Sequence, residues 1–567
     1  MNRLRLLRLG FLAVGLLLIG QLFRIQVLSY DFYVALAEGQ HDLFQHLFPE
    51  RGKIYARDRQ SDDQAFLLAT NRTLNLLFAE PFRIKTPINT AQALAPILGI
   101  EEAELIGKLS SPTERYRVLA RKLDDETREK IESLQLEGIG FTKEAFRYYP
   151  EGVTGGQMLG FLGESDKGKS GRYGIEGWFE KDLAGEQGYL ESEKDSRGRV
   201  IAVGNRTLQP AKDGDDLVLT IDRTVQYVAC KKLDEWVKKF NAQKGSVVIL
   251  DPRTGGVIAM CNAPTFDPND YGKVESVDVY NNTAIFEPYE SGSVFKAITM
   301  AAGLDTGKIT PSTIFDDPGE VKIGPFTIRN SDLKAHGRVD MTTVLTESLN
   351  TGLVDIVHRL GPQKFLAYVR DFGFGQKTGI ELQTEAAGNI ESLSRKGDIW
   401  SATASYGQGI TVTVLQIASA YAAIANDGVL MKPYVVDEVR RADGTVEKRA
   451  PKSVRRVMSE RAAELLSGML VAVVENGHGK RAGVPGYWIA GKTGTAQIPR
   501  QDGGGYEVGQ TIGSFAGFGP VDDPKFVMVV RIDRPEGVQF AESTAAPLFG
   551  DIAKFLLDYY QVPPTRN

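Results

Sequence analysis

Three short polar motifs lie far apart in this chain: Ser293-Val-Phe-Lys296, Ser348-Leu-Asn350 and Lys492-Thr-Gly-Thr495. They can serve one chemistry only if the fold brings three distant segments to one groove, and that demand constrains the architecture more than any other feature. On a helix, a lysine three residues after a serine shares its face, with the amine beside the hydroxyl. Such a pair can activate a serine nucleophile without histidine, provided that the lysine is neutral. Burial and a second nearby cation both depress a lysine pKa. Gly292 precedes Ser293, and Val294, Phe295, Ile298 and Ala301 give the following helix a buried face. Ser293 is therefore expected at a helix N-terminus, where free N–H groups and the dipole favour developing negative charge. Ser291 has Val294 three residues on, so of these two serines only Ser293 has a lysine partner.

Ser348 and Asn350, on a short turn between helices, can face the same cleft. The hydroxyl can relay a proton to a leaving amine, and the amide can hold both Lys296 and a substrate carbonyl. Lys492 through Thr495 follow Tyr487-Trp488-Ile489-Ala490, which reads as a strand. On a sheet edge alternate residues point one way, so Thr493 and Thr495 would face the cleft together. Their hydroxyls and the Lys492 charge suit a terminal carboxylate, and Gly494 admits a close backbone. The Thr495 N–H can join that of Ser293 in an oxyanion hole, and an extended peptide could add to the strand. Taken singly, each motif also has a plainer reading: a capping serine before a surface lysine, a polar helix-end turn, an edge strand with a solvated lysine. Their co-occurrence is what argues for a site.

The 567 residues are enough for two or more domains. The net charge of −5 argues against a nucleic-acid partner. The five histidines show no metal-ligand spacing, and no metal or organic cofactor is expected. Cys230 and Cys261 are expected as buried small hydrophobes, with a disulfide open outside the cytoplasm.

At the N-terminus, Arg3, Arg5 and Arg8 precede an apolar run from Leu9 to Phe23, extendable through Ile25, Val27 and Leu28. This predicts an uncleaved single-span anchor at 9–28 after a cytoplasmic tail at 1–8, with the rest of the chain outside the cytoplasm. The alternative, a cleaved signal peptide, finds a triplet at Ala35-Leu36-Ala37, too far from the apolar core. Arg51 to Tyr55 reads as β structure paired with Phe66–Ala69, residues 90–136 as charged helices, and 152–214 as a turn-rich seam. A helix at Asp222–Phe240 and a hairpin at Gly245–Met260 follow. Helices then dominate, notably at Ser293–Leu304 and Thr343–Leu360, and strands return at Gly486–Ala490, Ser514–Gly519 and Phe526–Ile532. This order predicts an α+β domain, helices packed on an antiparallel sheet.

Two segments also match the phosphate-loop pattern G-x-x-x-x-G-K-[ST]: Gly163–Ser170 and Gly486–Thr493. A nucleotide site needs strand, glycine loop and helix in that order. Gly171 and Gly174 after the first, and Gly494 and Pro499 after the second, resist helix formation, so neither is read as one.

Beyond the three motifs the chain carries Gly373-Phe374-Gly375, Thr378-Gly379-Ile380-Glu381, Glu385 with Gly388, and Tyr406 through Thr413. It also carries Gln416, Ala423 through Gly428, and Gly491 through Ala496. With Arg51-Gly52, Tyr149-Pro150, Gly160 and Gly174-Ile175-Glu176 in the first half, this resembles a class B penicillin-binding protein over most of residues 24–560. The resemblance implies a penicilloyl-serine transpeptidase fold at 215–562 and a tail at 563–567, with the chain ending soon after its catalytic domain. It implies an elongated mixed pedestal or dimerisation domain at 29–214, after the transmembrane helix. It implies a D,D-transpeptidase of bacterial peptidoglycan, with Ser293 acylated by a stem peptide, Lys296 its base, Ser348 and Asn350 the second motif, and Lys492, Thr493, Gly494 and Thr495 at the substrate.

By the same resemblance β-lactams acylate Ser293. The protein sits in the cytoplasmic membrane with its catalytic domain outside, alongside a multi-span glycosyltransferase and division or elongation proteins. The stretch from Gly292 to Gly352 resembles the division branch more than the elongation branch. Two other readings are a carboxypeptidase or β-lactamase, in which water resolves the acyl-enzyme, and a β-lactam sensor without turnover. The anchor and pedestal favour the cross-linker. Two residues depart from the family pattern: Ser291, where proline is frequent, and Leu349, bulkier than the usual middle residue of its motif.

Overall fold

The structure, a computed structural model, describes residues 2–24, 49–61, 64–165, 168–192, 206–500, 502 and 504–566. Met1–Lys53, Lys181–Asp216 and Arg440–Val446 form one unit and the remainder a second. In the first unit, α1 (Asn2–Phe23) leaves Leu12, Leu16, Leu17, Ile19 and Phe23 exposed. Among the described residues no helix is long and apolar enough to cross a membrane. The anchor expected at 9–28 runs into residues 25–28, and the Ala35 triplet lies beyond them; both stretches are outside the described residues.

The second unit opens with β1 (Ile54–Arg57), whose alternate residues Ile54 and Ala56 are buried. It pairs antiparallel with β2 (Phe66–Ala79), Ile54 opposite Ala69. The long β2 also pairs with β3 (Arg117–Leu123) and β4 (Ile139–Tyr148). Helices Pro87–Leu98, Glu102–Leu109 and Asp125–Glu132 cover this sheet, packing Leu94, Leu105 and Ile131 with Leu77 and Leu119. The helical reading of 90–136 therefore fails at β3. There Val118 and Ala120 face Phe78 and Leu77 across the ladder, and cross-strand pairing overrides local preference. Next, β5 (Asp216–Asp222) runs parallel to β1, so this sheet takes strands from both sides of residue 214.

At the end of β5 the Asp222 carboxylate caps α2 (Arg223–Lys239), accepting the Val225 N–H at 3.0 Å. The hairpin of β6 (Lys244–Leu250) and β7 (Val257–Ala263) follows as expected. After a 3₁₀ turn at Gly292–Phe295 come α3 (Lys296–Asp305), α4 (Met341–Thr346), α5 (Asn350–Leu360), α6 (Val414–Ala425) and α7 (Glu460–Asn476). The helix expected over Thr343–Leu360 is thus broken between α4 and α5. The chain closes with β8 (Ala490–Pro499), β9 (Tyr506–Gly519), β10 (Phe526–Asp533) and α8 (Ala545–Tyr559).

Five strands form one antiparallel sheet in the order β7–β6–β10–β9–β8, leaving β8 at an edge. On one face α2 and α8 bury Val225, Leu233, Phe549 and Ile552 against Val247, Phe515 and Val530. On the other α6 packs against β6 and β10. The domain is α+β, helices on both faces of an antiparallel sheet.

Two local expectations are corrected, and the rejection of the phosphate loops holds. The strand placed at Gly486–Ala490 begins only at Ala490, because Gly486 turns the chain with φ +88° and Tyr487 Oη donates to Val562 O instead. Neither phosphate-loop match opens a helix: Gly163–Ser170 lies on the hairpin Phe161–Ser165/Gly168–Arg172, and Gly486–Thr493 ends inside β8. The cysteines, read as small hydrophobes, form a disulfide between α2 and β7. Gln226 explains their meeting: its amide donates to Met260 O and accepts from Met260 N–H, both at 2.8 Å, docking α2 on β7 one turn from Cys230.

A bridge closing a loop of this size stabilises a fold by about 2–4 kcal/mol. Replacing both Cys230 and Cys261 by serine is expected to lower stability by that amount in urea denaturation, with activity retained at low temperature.

Candidate active site

Ser293 sits in the 3₁₀ turn that feeds α3, and Lys296 is the first residue of that helix. Gly292 adopts φ +56°, a left-handed conformation that suits glycine, and a Cβ there would lie 3.1 Å from Thr495 O of β8. The turn is fastened from several directions. Gly292 N–H donates to Gly407 O at 3.2 Å, Tyr421 Oη to Val294 O at 2.8 Å, and Thr299 Oγ1 to Ser405 O at 2.7 Å. Gly407 is required for this approach: a Cβ on it would come within 2.2 Å of Gly292 O.

The second motif stands where α4 ends. Ser348 has φ +57°, an uncommon backbone for a residue with a side chain, and Leu349 N–H donates to Val344 O at 2.9 Å. Leu349 is buried, so its bulk goes into the core. Asn350 begins α5, and its amide donates to Arg329 O at 2.8 Å, which turns Oδ1 toward Lys296.

Lys296 is wholly enclosed. It donates to Ser348 O at 2.6 Å and to Asn350 Oδ1 at 2.7 Å, and its Nζ lies 3.1 Å from Ser348 Oγ. Ser348 Oγ lies 3.1 Å from Ser293 Oγ. Burial drives the Lys296 pKa well below the usual lysine range, and the positive charge of Lys492 adds to the effect. A neutral amine has two N–H donors and one lone pair. The two carbonyl oxygens consume the donors, so the lone pair faces Ser348 Oγ. The geometry therefore offers a relay, Ser293 hydroxyl to Ser348 hydroxyl to Lys296 amine.

Lys492 is also enclosed, and burial pushes its pKa down to about 7, against the raising influence of Glu347 and Glu542. Strand alternation puts Lys492 and Gly494 on the face toward the nucleophile turn, where a Cβ on Gly494 would meet Ser291 O at 2.7 Å. Thr493 and Thr495 share the other face. Thr495 Oγ1 accepts the Ala541 N–H at 3.1 Å, and Thr493 is buried. The structure thus brings Ser293, Lys296, Ser348, Asn350 and the β8 edge together. Sequence reasoning missed the carbonyl of Arg329, because a backbone contact leaves no trace in residue type. A cavity of about 340 Å³ lined by Arg57, Asp222, Tyr434 and Tyr560 contains none of these groups.

Residues 245–554 match the penicillin-binding protein transpeptidase domain, and residues 46–219 match the penicillin-binding protein dimerisation domain. The chain belongs to the class B penicillin-binding proteins. It is 35% identical over 528 residues to stage V sporulation protein D of Bacillus subtilis, covering 92% of this chain and 80% of that protein. It is 28% identical over 591 residues to the peptidoglycan D,D-transpeptidase FtsI homolog of Mesostigma viride, covering 100% of this chain and 97% of the relative. Penicillin-binding protein 3 of Mycobacterium tuberculosis, solved in complex with aztreonam, superposes with a TM-score of 0.70 at 27% identity, over 92% of this chain and 99% of that one.

Two outcomes are expected. Acylation of Ser293 by way of neutral Lys296 rises with pH through a transition below the usual lysine range. Lys492→Met removes the charge that helps to depress Lys296, so this transition moves to higher pH in acylation rates measured across about pH 5–10; an unmoved transition sinks the coupling. Ser291 Oγ is buried without a hydrogen-bond partner. Ser291→Ala is expected to raise stability by about 1 kcal/mol, read as an increase in Tm.

Proposed function

We propose that this protein is a peptidoglycan D,D-transpeptidase. The observation that carries the reading is the hydrogen-bonded line from Ser293 through Ser348 to a buried, depressed Lys296. Ser293 attacks the carbonyl that precedes a terminal D-alanine while its proton passes through Ser348 to Lys296. The proton then returns to the departing D-alanine amine. The Ser293 and Thr495 N–H groups are the donors assigned to the oxyanion, at a turn and a strand edge that need no reorganisation. Lys492, whose Nζ reaches to 3.4 Å from Thr493 Oγ1, is assigned with Thr493 and Thr495 to the substrate carboxylate, with Gly494 admitting its backbone. An amine from a neighbouring stem peptide resolves the acyl-enzyme, and β-lactams stop at that stage.

Residues 9–28 are read as the anchor, 29–214 as the pedestal and 215–562 as the transpeptidase domain, placed outside the cytoplasmic membrane. The exposed leucines of α1 and the three arginines before them support that topology. A multi-span glycosyltransferase is the expected partner, in septal synthesis rather than elongation; the stretch from Gly292 to Gly352 supports the septal side.

Intact-mass analysis of the chain with benzylpenicillin is expected to show one covalent adduct, absent in Ser293→Ala. An adduct that persists in the variant rejects this nucleophile. Turnover on lipid-linked precursor separates the cross-linker from a hydrolase, which releases acid only, and from a sensor, which releases nothing.

A further inference from the structure

Glu290, three residues before the nucleophile, is a buried carboxylate that the steps above do not use. Oε1 accepts the Gly409 N–H at 2.9 Å and Oε2 accepts the Tyr506 hydroxyl at 3.1 Å. Among the described residues no lysine or arginine forms an ion pair with it. Burial raises its pKa, and its charge in turn helps to raise those of Tyr406 and Tyr506, so both phenols lie close by. These groups border the nucleophile turn. Tyr289 is bridged to Val412 on one side of Glu290, and on the other Gly292 packs on Gly407, beside Tyr406.

A buried carboxylate without a cation is costly to keep for stability alone, and polar or apolar residues could hold Gly409 and Tyr506 instead. Its chemistry selects among the reactants of a transpeptidase, the reading on which this inference rests. The donor peptide brings a carbonyl and a carboxylate, and a second carboxylate repels the latter. The acceptor is the one reactant that arrives as a cation, and it cannot attack until it has lost a proton.

We propose that Glu290 is the acceptor subsite: it binds the ammonium group of the incoming stem peptide and takes its surplus proton. The neutral nitrogen then attacks the acyl-Ser293 carbonyl carbon. The C–N bond forms, the C–Oγ bond breaks, and the remaining extra proton on nitrogen passes through Lys296 and Ser348 to Ser293 Oγ. Glu290 returns its proton to water. Gly409 and Tyr506, each donating to one oxygen, leave a lone pair on both for the ammonium.

The test uses the full chain with a D-alanyl thioester donor and two acceptors, D-alanine and the hydroxy acid D-lactate, which carries no ammonium group, alongside acylation by benzylpenicillin. Glu290→Gln keeps the size and one hydrogen-bond acceptor but removes the charge. Its ratio of transfer to D-alanine over acylation is expected to fall at least fivefold, through a higher KM for D-alanine, while the corresponding ratio for D-lactate falls less than twofold. Glu290→Asp, which keeps the charge, should recover at least half of the ratio, and it carries the test if Glu290→Gln fails to fold. A fall below fivefold, or an equal loss with both acceptors, overturns the subsite and leaves a structural role for Glu290. Failure of penicillin to acylate Ser293 in the unaltered protein would instead overturn the transpeptidase reading, and the subsite with it.

Discussion

A lysine amine held without its proton in full burial is the condition on which the rest of this site depends. Were Lys296 charged, Ser348 O and Asn350 Oδ1 would accept two of its protons and the third would point at Ser348 Oγ, closing the route from Ser293. Burial disfavours that third proton, and a second buried lysine reinforces the effect. The two groups answer to one another, because each positive charge placed in this low-dielectric space makes the next less favourable. Everything around Lys296 therefore has two tasks, to exclude water and to fix the acceptors.

The acceptors are fixed by backbone. Ser348 presents both its carbonyl and its hydroxyl to one amine because α4 stops and the chain turns left-handed before α5 begins. The hairpin ending at Arg329 sets the Asn350 amide, since an amide that donates to a carbonyl must turn its oxygen the other way. On the remaining side the edge strand β8 comes down on the nucleophile turn at Gly494 and Thr495. Glycine at 292, 407 and 494 lets three backbones meet where a Cβ on any of them would collide or crowd. An edge strand left unpaired is otherwise a liability, and here its free edge lies beside Ser293, open to an extended chain.

Much of this could be read from residue types. The Ser293–Lys296 spacing marks the turn that leads into α3, the helix expected at Asp222–Phe240 is α2, and the apolar run Val257–Met260 is the second strand of the first hairpin. What failed did so for identifiable reasons. Arg117–Leu123 carries charged residues at helical spacing, and only its pairing with β2 makes it a strand. The strand ahead of Lys492 was placed a few residues early, because aromatic residues at 487–488 look like strand but pack at the chain end. The disulfide depends on how α2 lies across β7, a tertiary fact carried by Gln226 that spacing does not encode. The motif names Ser348 as a proton relay, but its place between Ser293 and Lys296 follows from one left-handed residue that spacing does not encode.

The unfavourable features gather on one side of the sheet. Lys492, the buried Glu290 carboxylate and a serine at φ +57° are each destabilising, by about 1–3 kcal/mol for the strained backbone and by several for an enclosed charge. Lys296 answers its burial with a depressed pKa. The opposite face holds α2 and α8 over a continuous apolar layer built from Val247, Phe515, Val530, Phe549 and Ile552. Each such side chain contributes about 1.5–3 kcal/mol on burial, and the layer spans β6, β7, β9 and β10, with β8 paired on β9. A site made of strained and desolvated groups can then stay rigid, because the strands beneath it are held from behind. Rigidity is what a relay of two hydroxyls and one lone pair requires, since a displacement of about 1 Å at either serine would break it.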